Sequence, residues 1–176
     1  MAVVVQNVVV EDEGGLEVHV GPGEPTAVYR AYILETVPAE IRSQSTIADA
    51  FAGDPDDAAL LTTDVPADGT VFTFEGQTPE WVLVLKDVTL LRAKYQTGNG
   101  FPGTPGQPAM PQGEKRAVRN DVEILLWDNR TGALIAAGEV ESEETFTFSP
   151  SGGTYKAAVG EFVEKLIANT PMERRQ

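Results

Sequence analysis

Four aspartates lie close together in a stretch rich in loop-forming residues: Asp54, Asp56, Asp57 and Asp64. Spaced carboxylates of this kind are the ligands that a hard cation such as Ca²⁺ takes in proteins. An EF-hand beginning at Asp54 would need glycine and glutamate at its sixth and twelfth positions, where the chain has Ala59 and Val65. The pattern excludes an EF-hand and leaves two alternatives, a looser Ca²⁺ site or a solvated acidic loop.

Residues that commonly act as nucleophiles or bases are sparse. The chain has no cysteine, which excludes disulfides, zinc–thiolate sites and cysteine nucleophiles. Its single histidine, His19, alternates with apolar residues and shares the polar side of a predicted strand with Glu17, which favours a surface position over a metal site. No Gly-x-Ser-x-Gly elbow and no phosphate-binding glycine motif after a strand is present. The sequence therefore predicts no catalytic residue and no cofactor.

Charge and hydropathy limit the partners. The chain has 27 acidic and 13 basic residues and a formal net charge of −14, so its field repels nucleic acid and anionic lipid. No apolar run approaches the ~18 residues of a membrane span. A length of 176 residues predicts a single domain over residues 1–176. The acidic, lysine-poor composition is also typical of proteins from salt-tolerant organisms.

Hydrophobic periodicity predicts both strands and helices. Alternation and β-branched residues indicate strands at 2–10, 16–20, 70–75, 80–95, 117–127 and 132–142. Residues 25–37 have helical spacing but also alternate, so helix and strand both stay open there. Pro38 is expected to break the helix, with a second helical piece at 39–51. A final amphipathic helix should begin at Ser151 and end before Pro171.

These elements predict an α+β fold, in which a mostly antiparallel sheet packs against a C-terminal helix and an N-terminal helical region. Residues 96–116 contain five glycines and four prolines, which predicts a mobile loop. The alternative is a binding lid that carries Phe101 and Met110 as partner-binding residues.

A polar cluster separates two of the predicted strands at residues 128–132, Asp-Asn-Arg-Thr-Gly. Aspartate and asparagine side chains accept hydrogen bonds from nearby backbone N–H groups, and both Asn129 and Gly132 tolerate positive φ. We therefore interpret the cluster as the turn of a β-hairpin and not as a catalytic group.

This hairpin carries a resemblance to a known group of proteins. The order is WVLVL, a Gly/Pro-rich insertion, LLWDNRTG, ALIAAGEV and a terminal amphipathic helix that stops at Asn-Thr-Pro, over residues 80–171. It resembles the C-terminal half of bacterial envelope lipoproteins. It is similar, more loosely, to the α+β domains of transport-auxiliary lipoproteins and of the Tol-system periplasmic protein. The motif is structural and transfers no catalytic residue. A mature lipoprotein begins with a lipidated cysteine, so the resemblance implies that this chain starts after it.

The resemblance implies a non-enzymatic protein of the bacterial cell envelope. It would be lipid-anchored on the periplasmic side in its native form and would bind an envelope protein or polymer. Two alternatives stay open from the residues alone. One is a metal-dependent hydrolase that uses the acidic loop, and the other is a cytoplasmic domain of a salt-tolerant organism.

Overall fold

The computed structural model describes residues 1–11, 16–58, 69–97, 113–168 and 170–174. Its elements are β1 (Ala2–Val10), α1 (Leu16–His19), α2 (Pro25–Gln44), β2 (Phe51–Ala52), a 3-10 turn (Pro55–Ala58), β3 (Trp81–Thr97), β4 (Gly113–Asp128), β5 (Ala133–Phe146) and α3 (Gly152–Ile167). The strands form one mixed sheet in the order β2-β1-β3-β4-β5. Strand β1 is parallel to both of its neighbours, whereas β3, β4 and β5 are antiparallel. The predicted α+β class is confirmed.

The first halves of β1 and β3 are buried on both faces of the sheet. Val3 and Leu83 belong to the core cluster under the helices, whereas Val4 and Val84 belong to a second cluster on the opposite face. Parallel strands that are covered on both faces have apolar sequences without alternation. This double burial explains the continuous apolar runs AVVV and WVLVL.

Helix α2 packs on the sheet through side chains spaced four residues apart: Tyr29, Ile33, Val37 and Ile41. The Tyr29 hydroxyl donates a hydrogen bond to Oδ1 of Asn120 in β4. Burial raises the pKa of Tyr29 far above its usual range, so the hydroxyl keeps its proton as a donor. The pair satisfies two buried polar groups and fixes where the helix meets the sheet.

Helix α3 covers the same face of the sheet and begins where the sequence predicts. The Ser151 hydroxyl accepts a hydrogen bond from the backbone N–H of Thr154, and the Thr154 hydroxyl accepts one from the N–H of Ser151. This reciprocal capping box satisfies N–H groups that the first turn leaves unpaired. The predicted apolar positions are all buried: Tyr155, Val159, Phe162, Val163 and Leu166.

The polar cluster at residues 128–132 is the turn between β4 and β5, as predicted. Gly132 has φ +63°, and a Cβ atom there would lie 2.4 Å from the Cα of Gly69. The backbone N–H of Gly69 donates to the carbonyl of Gly132 at 2.7 Å. A side chain at Gly132 is therefore opposed both by the backbone angle and by this close contact.

Among the described residues, Glu75 is the one non-glycine residue with positive φ. Asn129 therefore does not take the positive φ that its residue type allows. The side chain of Asn129 is buried and acts as a clamp. The Oδ1 atom accepts from the N–H of Phe72 at 2.7 Å, and Nδ2 donates to the carbonyls of Phe72 and Pro79, each at 2.8 Å. The amide thus pairs with Phe72 as a neighbouring strand would.

This clamp explains why the strand predicted at 70–75 is wrong. The backbone of Phe72 bonds to a side chain instead of a strand, and residues 71–73 have no regular structure. Phe74 then forms an isolated bridge with Gln77 across Glu75 and Gly76, whose φ values are +46° and +80°. Two successive positive φ angles make a tight turn that ends any extended run.

The strand predicted at 16–20 is also wrong, because residues 16–19 form one helical turn. Leu16 and Val20 are four residues apart and both contact the main core. A spacing of four places them on one side of a helical turn. Over only five residues, strand alternation and one helical turn produce the same apolar pattern.

Helix α2 resolves the open alternative at 25–37 in favour of helix and corrects the break expected at Pro38. The helix continues through Pro38 to Gln44, and the proline ring is buried. Burial of that ring offsets part of the ~3 kcal/mol cost of proline inside a helix.

The second helical piece expected at 39–51 ends early, because Ser45 caps α2. The Ser45 hydroxyl donates to the carbonyl of Ile41 at 2.7 Å and accepts from the N–H of Ile47 at 3.1 Å. A side chain that hydrogen-bonds to the backbone in this way competes with continuation of the helix.

In the predicted loop at 96–116, residues 96–97 and 113–116 belong to β3 and β4, and 98–112 lie outside the described residues.

Replacing Asn129 with alanine should lower the free energy of unfolding by about 3 kcal/mol. The change removes three buried hydrogen bonds and leaves the backbone groups of Phe72 and Pro79 without partners. Urea unfolding followed by tryptophan fluorescence measures the loss. The control is Thr131→Ala in the same turn, whose exposed side chain makes one long contact to the Asp128 carbonyl. Equal effects of the two substitutions would contradict the clamp.

Candidate functional site

The acidic residues predicted as Ca²⁺ ligands lie partly in the 3-10 turn. The Asp54 carboxylate accepts from the N–H of Asp56 at 2.9 Å, so it caps the turn. Asp54, Asp56 and Asp57 are all exposed. Among the described residues, no group of three or more histidine, aspartate or glutamate side chains could hold a metal ion. Asp64 lies outside the described residues, so a site that includes it stays a prediction.

The other residues singled out by the sequence do not form a site together. Phe101 and Met110 lie outside the described residues, and the lid that they would carry stays a prediction. His19 is in α1 and is half-buried. Tyr155, Val159 and Phe162 of α3 belong to the main core cluster between the helices and the sheet.

One cavity of about 420 Å³ lies at the amino ends of β1 and β3. Its lining includes the carboxylates of Asp49 and Glu80 and the ring of Trp81. Backbone hydrogen bonds already close its wall, since the N–H of Phe51 donates to the carbonyl of Met1 at 3.1 Å. The cavity offers a small ligand mixed polar and apolar contacts.

The edge of the sheet at β1 is covered. The short strand β2 pairs with its first residues, and the N–H of Gly53 donates to the carbonyl of Val3 at 2.8 Å. Beyond that point the Arg30 guanidinium donates to the carbonyls of Val5 and Gln6. Backbone groups that are bonded in this way, as far as Gln6, are not free to pair with another strand.

The opposite edge, at β5, is covered over only part of its length. Lys165 of α3 donates to the carbonyl of Glu141 at 2.8 Å, and Glu161 accepts from the N–H of Glu143 at 2.7 Å. Lys165 and Glu161 also pair with each other at 2.9 Å. We call these four residues the helix cap of β5.

The electrostatics of the helix cap show that it depends on an ionised carboxylate. Burial alone would raise the pKa of Glu161, but the N–H of Glu143 and the Lys165 ammonium outweigh burial, and the pKa lies below its usual value. The charged form of Glu161 is therefore the one that accepts from the edge strand.

The remainder of the β5 edge is open. In an antiparallel strand, successive residues point their N–H and C=O groups alternately toward and away from the paired neighbour. Glu141 and Glu143 point outward, so Ala137 and Glu139 do the same. Among the described residues, no side chain or backbone group bonds to the outward side of Ala137 or Glu139.

An apolar depression, which we call the edge groove, runs beside this open stretch. It has a volume of about 350 Å³ and lies between residues 135–140 of β5 and the end of α3 with the turn after it, represented by Lys165, Leu166, Ala168, Thr170 and Pro171. Its lining includes Ile135, Val140 and Leu166. Ile135 is the extra residue of a β-bulge, because Leu126 pairs with Ala136 while Trp127 pairs with Leu134. The bulge leaves Ile135 41% exposed at the edge.

The face of the sheet that the helices leave open is acidic next to this edge. Its charged residues on β3, β4 and β5 include Asp87, Asp121, Glu123, Glu139 and Glu141. Lys86 pairs with Glu123 at 2.7 Å, and Arg119 pairs with Asp121 and Glu141 at 2.6 and 2.9 Å. Within the described chain, Glu139 makes no ion pair, so the open stretch of the edge keeps a negative charge.

Sequence reasoning missed this edge. It predicted a strand at 132–142, but nothing in that stretch says which strand it pairs with or which side is left unpaired. One local signal was available in the alternation of Glu139, Val140 and Glu141. That pattern indicates a strand with one apolar and one solvated face.

The fold and the site together define a class, an α+β protein with both main helices on one face of a mixed sheet and one sheet edge partly open. No protein-family model matches the chain, and no curated protein matches it.

Solved structures with a similar fold come from several bacteria. A hypothetical protein of Chlamydia trachomatis has a TM-score of 0.47 at 12% identity, covering 94% of both chains. A lipoprotein of Neisseria meningitidis has a TM-score of 0.34 at 12% identity, covering 96% of this chain and 99% of its own. A proposed lipoprotein of Caulobacter crescentus has a TM-score of 0.30 at 12% identity, covering 92% of this chain and 83% of its own. Likenesses at these scores carry no conclusion about function.

Replacing Glu161 with glutamine should lower stability at neutral pH, and the deficit should shrink on acidification. A carboxyl whose pKa is lower in the folded chain contributes stability that is present above its unfolded pKa of about 4.5. That contribution is lost as pH falls through the folded pKa. Urea unfolding at pH 7 and at pH 3.5 to 4 (a range of about one unit below the unfolded value) measures the two differences.

The matched control for this prediction is Glu164→Gln, which removes the same charge from an exposed position of α3. A deficit for Glu161→Gln that does not change with pH, or that Glu164→Gln reproduces, would show that the helix cap does not depend on the charge of Glu161.

Proposed function

We propose that this chain is a non-enzymatic binding protein of the bacterial cell envelope, anchored by lipid in its native form, and that it binds another envelope component. The observation that carries the binding part is the open stretch of the β5 edge with the edge groove beside it. Soluble proteins usually cover or shorten such an edge, because free backbone groups pair with other chains. Here the outer side of β1 is covered as far as Gln6, and the outer side of β5 is covered only at the helix cap.

The envelope part of the proposal is supported by the resemblance over residues 80–171 to envelope lipoproteins. The β4–β5 turn and the capped α3 occupy the positions that this resemblance implies. Among the described residues, no helix is both long and apolar enough to cross a bilayer.

The native protein, isolated from its own host, should be found in the membrane fraction. Its intact mass should exceed that of the polypeptide by two or three acyl chains on a cysteine upstream of Met1, since stable anchoring takes more than one chain. Mass spectrometry after detergent extraction measures this.

The matched control is the chain starting at Met1, expressed in the same host, which lacks the cysteine and should be in the soluble fraction. An unmodified native protein found in the soluble fraction would contradict the envelope proposal. It would leave the cytoplasmic alternative.

A further inference from the structure

We propose that the open stretch of β5 binds an extended strand of a partner protein, in which apolar and basic residues alternate. This inference rests on the proposed binding function and adds the mode of binding and the chemistry of the partner. It follows from three separate features of the edge: its backbone groups, the groove beside it and its charge.

The backbone groups define the mode of binding. The outward N–H and C=O groups of Ala137 and Glu139 are spaced as an added antiparallel or parallel strand requires. Beyond them, Lys165 and Glu161 already occupy the corresponding groups of Glu141 and Glu143. The helix cap therefore sets one end of the docked strand, which runs from there past Ala137 toward Ala133, the first residue of β5.

The edge groove defines one face of the partner strand. A strand added to β5 points alternate side chains toward the helices and away from them. Side chains on the helix side would enter the edge groove and contact Leu166 and Pro171, close to the exposed Ile135. Apolar residues at every second position fit this surface, because they remove it from water.

The charge defines the other face of the partner strand. Side chains that point away from the helices would lie beside Glu139, which makes no ion pair, on the acidic face of the sheet. Directly opposed unlike charges stabilise neighbouring strands, and like charges destabilise them. We therefore expect lysine or arginine at the alternate positions of the partner strand, where their charge is opposite to that of the acidic face.

The same charges disfavour a second copy of this chain as the occupant. Two β5 strands paired edge to edge would bring the acidic faces of the two copies side by side in one sheet. The net charge of −14 adds repulsion over a longer range.

The experiment measures fluorescence anisotropy of a labelled peptide of about 8 residues, in which valine and lysine alternate, a length that matches the open stretch. Three matched peptides are compared with it. One alternates valine and glutamate, one has the same valines and lysines in two blocks, and one carries N-methyl groups on the backbone. Binding should be limited to the alternating valine–lysine peptide and should weaken as salt is added.

Two variants of the whole chain test the site. Ala137→Pro removes an outward N–H without removing a ladder bond, because proline is tolerated where the N–H faces solvent. Ala137→Val keeps that N–H at the same exposed position. We expect Ala137→Pro to weaken binding about tenfold or more, and Ala137→Val to leave the dissociation constant within about twofold. Unfolding in urea confirms that both variants are folded.

Four outcomes would overturn the inference. They are equal binding of the block and alternating peptides, retained binding of the N-methylated peptide, unchanged binding to folded Ala137→Pro, and a dimer of the chain that Ala137→Pro abolishes while no peptide binds. These results are independent of the membrane fractionation of the native protein. If the native protein is membrane-anchored but fails to bind the peptide, the proposed function stands and this inference is wrong. If the native protein is in the soluble fraction but binds the peptide, this inference stands and the proposed envelope function is wrong.

Discussion

The parallel pairing of β1 with β3 is the constraint on which the other elements depend. Two strands that run in the same direction cannot be joined by a tight turn, so the chain must cross the sheet between them. Helix α2 lies in that connection and packs the side chains of Tyr29, Ile33, Val37 and Ile41 on one face of the sheet. The opposite face is then left to the segment around Phe72, which the Asn129 side chain holds in place. Among the described residues, the helices consequently cover one face of the sheet, and the segment around Phe72 covers one end of the other.

Because the helices cover one face and leave part of β5 open, a stable core and an unpaired edge are both present in one sheet. The buried apolar side chains of both clusters come mainly from the helices and from β1, β3 and β4. Strand β5 contributes mainly half-buried residues such as Ala136 and Val140. Its open stretch can therefore exchange water for a partner strand without disturbing the packing beneath the helices.

The parts of the fold that the sequence predicts are those that local physics determines. The hairpin turn at 128–132 and the capping box at Ser151 follow from the chemistry of a few adjacent residues. The errors arise where a distant contact decides. The strand pattern at 70–75 cannot show that Asn129 will take the hydrogen bonds of Phe72, and Pro38 gives no sign that its ring will be buried. The open edge was missed for the same reason, because strand order depends on pairing across the whole chain.

The position of β1 also affects how the chain acquires its structure during synthesis. Ala2 pairs with Val82, so the first strand meets its main partner only after 80 more residues have been made. Ribosomes add roughly 5–20 residues per second, which leaves β1 without β3 for about 4–16 s. During that interval its four consecutive apolar residues are exposed. Contacts between such distant residues also slow folding, because a long loop must close before they form. The nascent chain can therefore bind a chaperone through a segment, Ala2–Val5, that is later fully buried in the sheet.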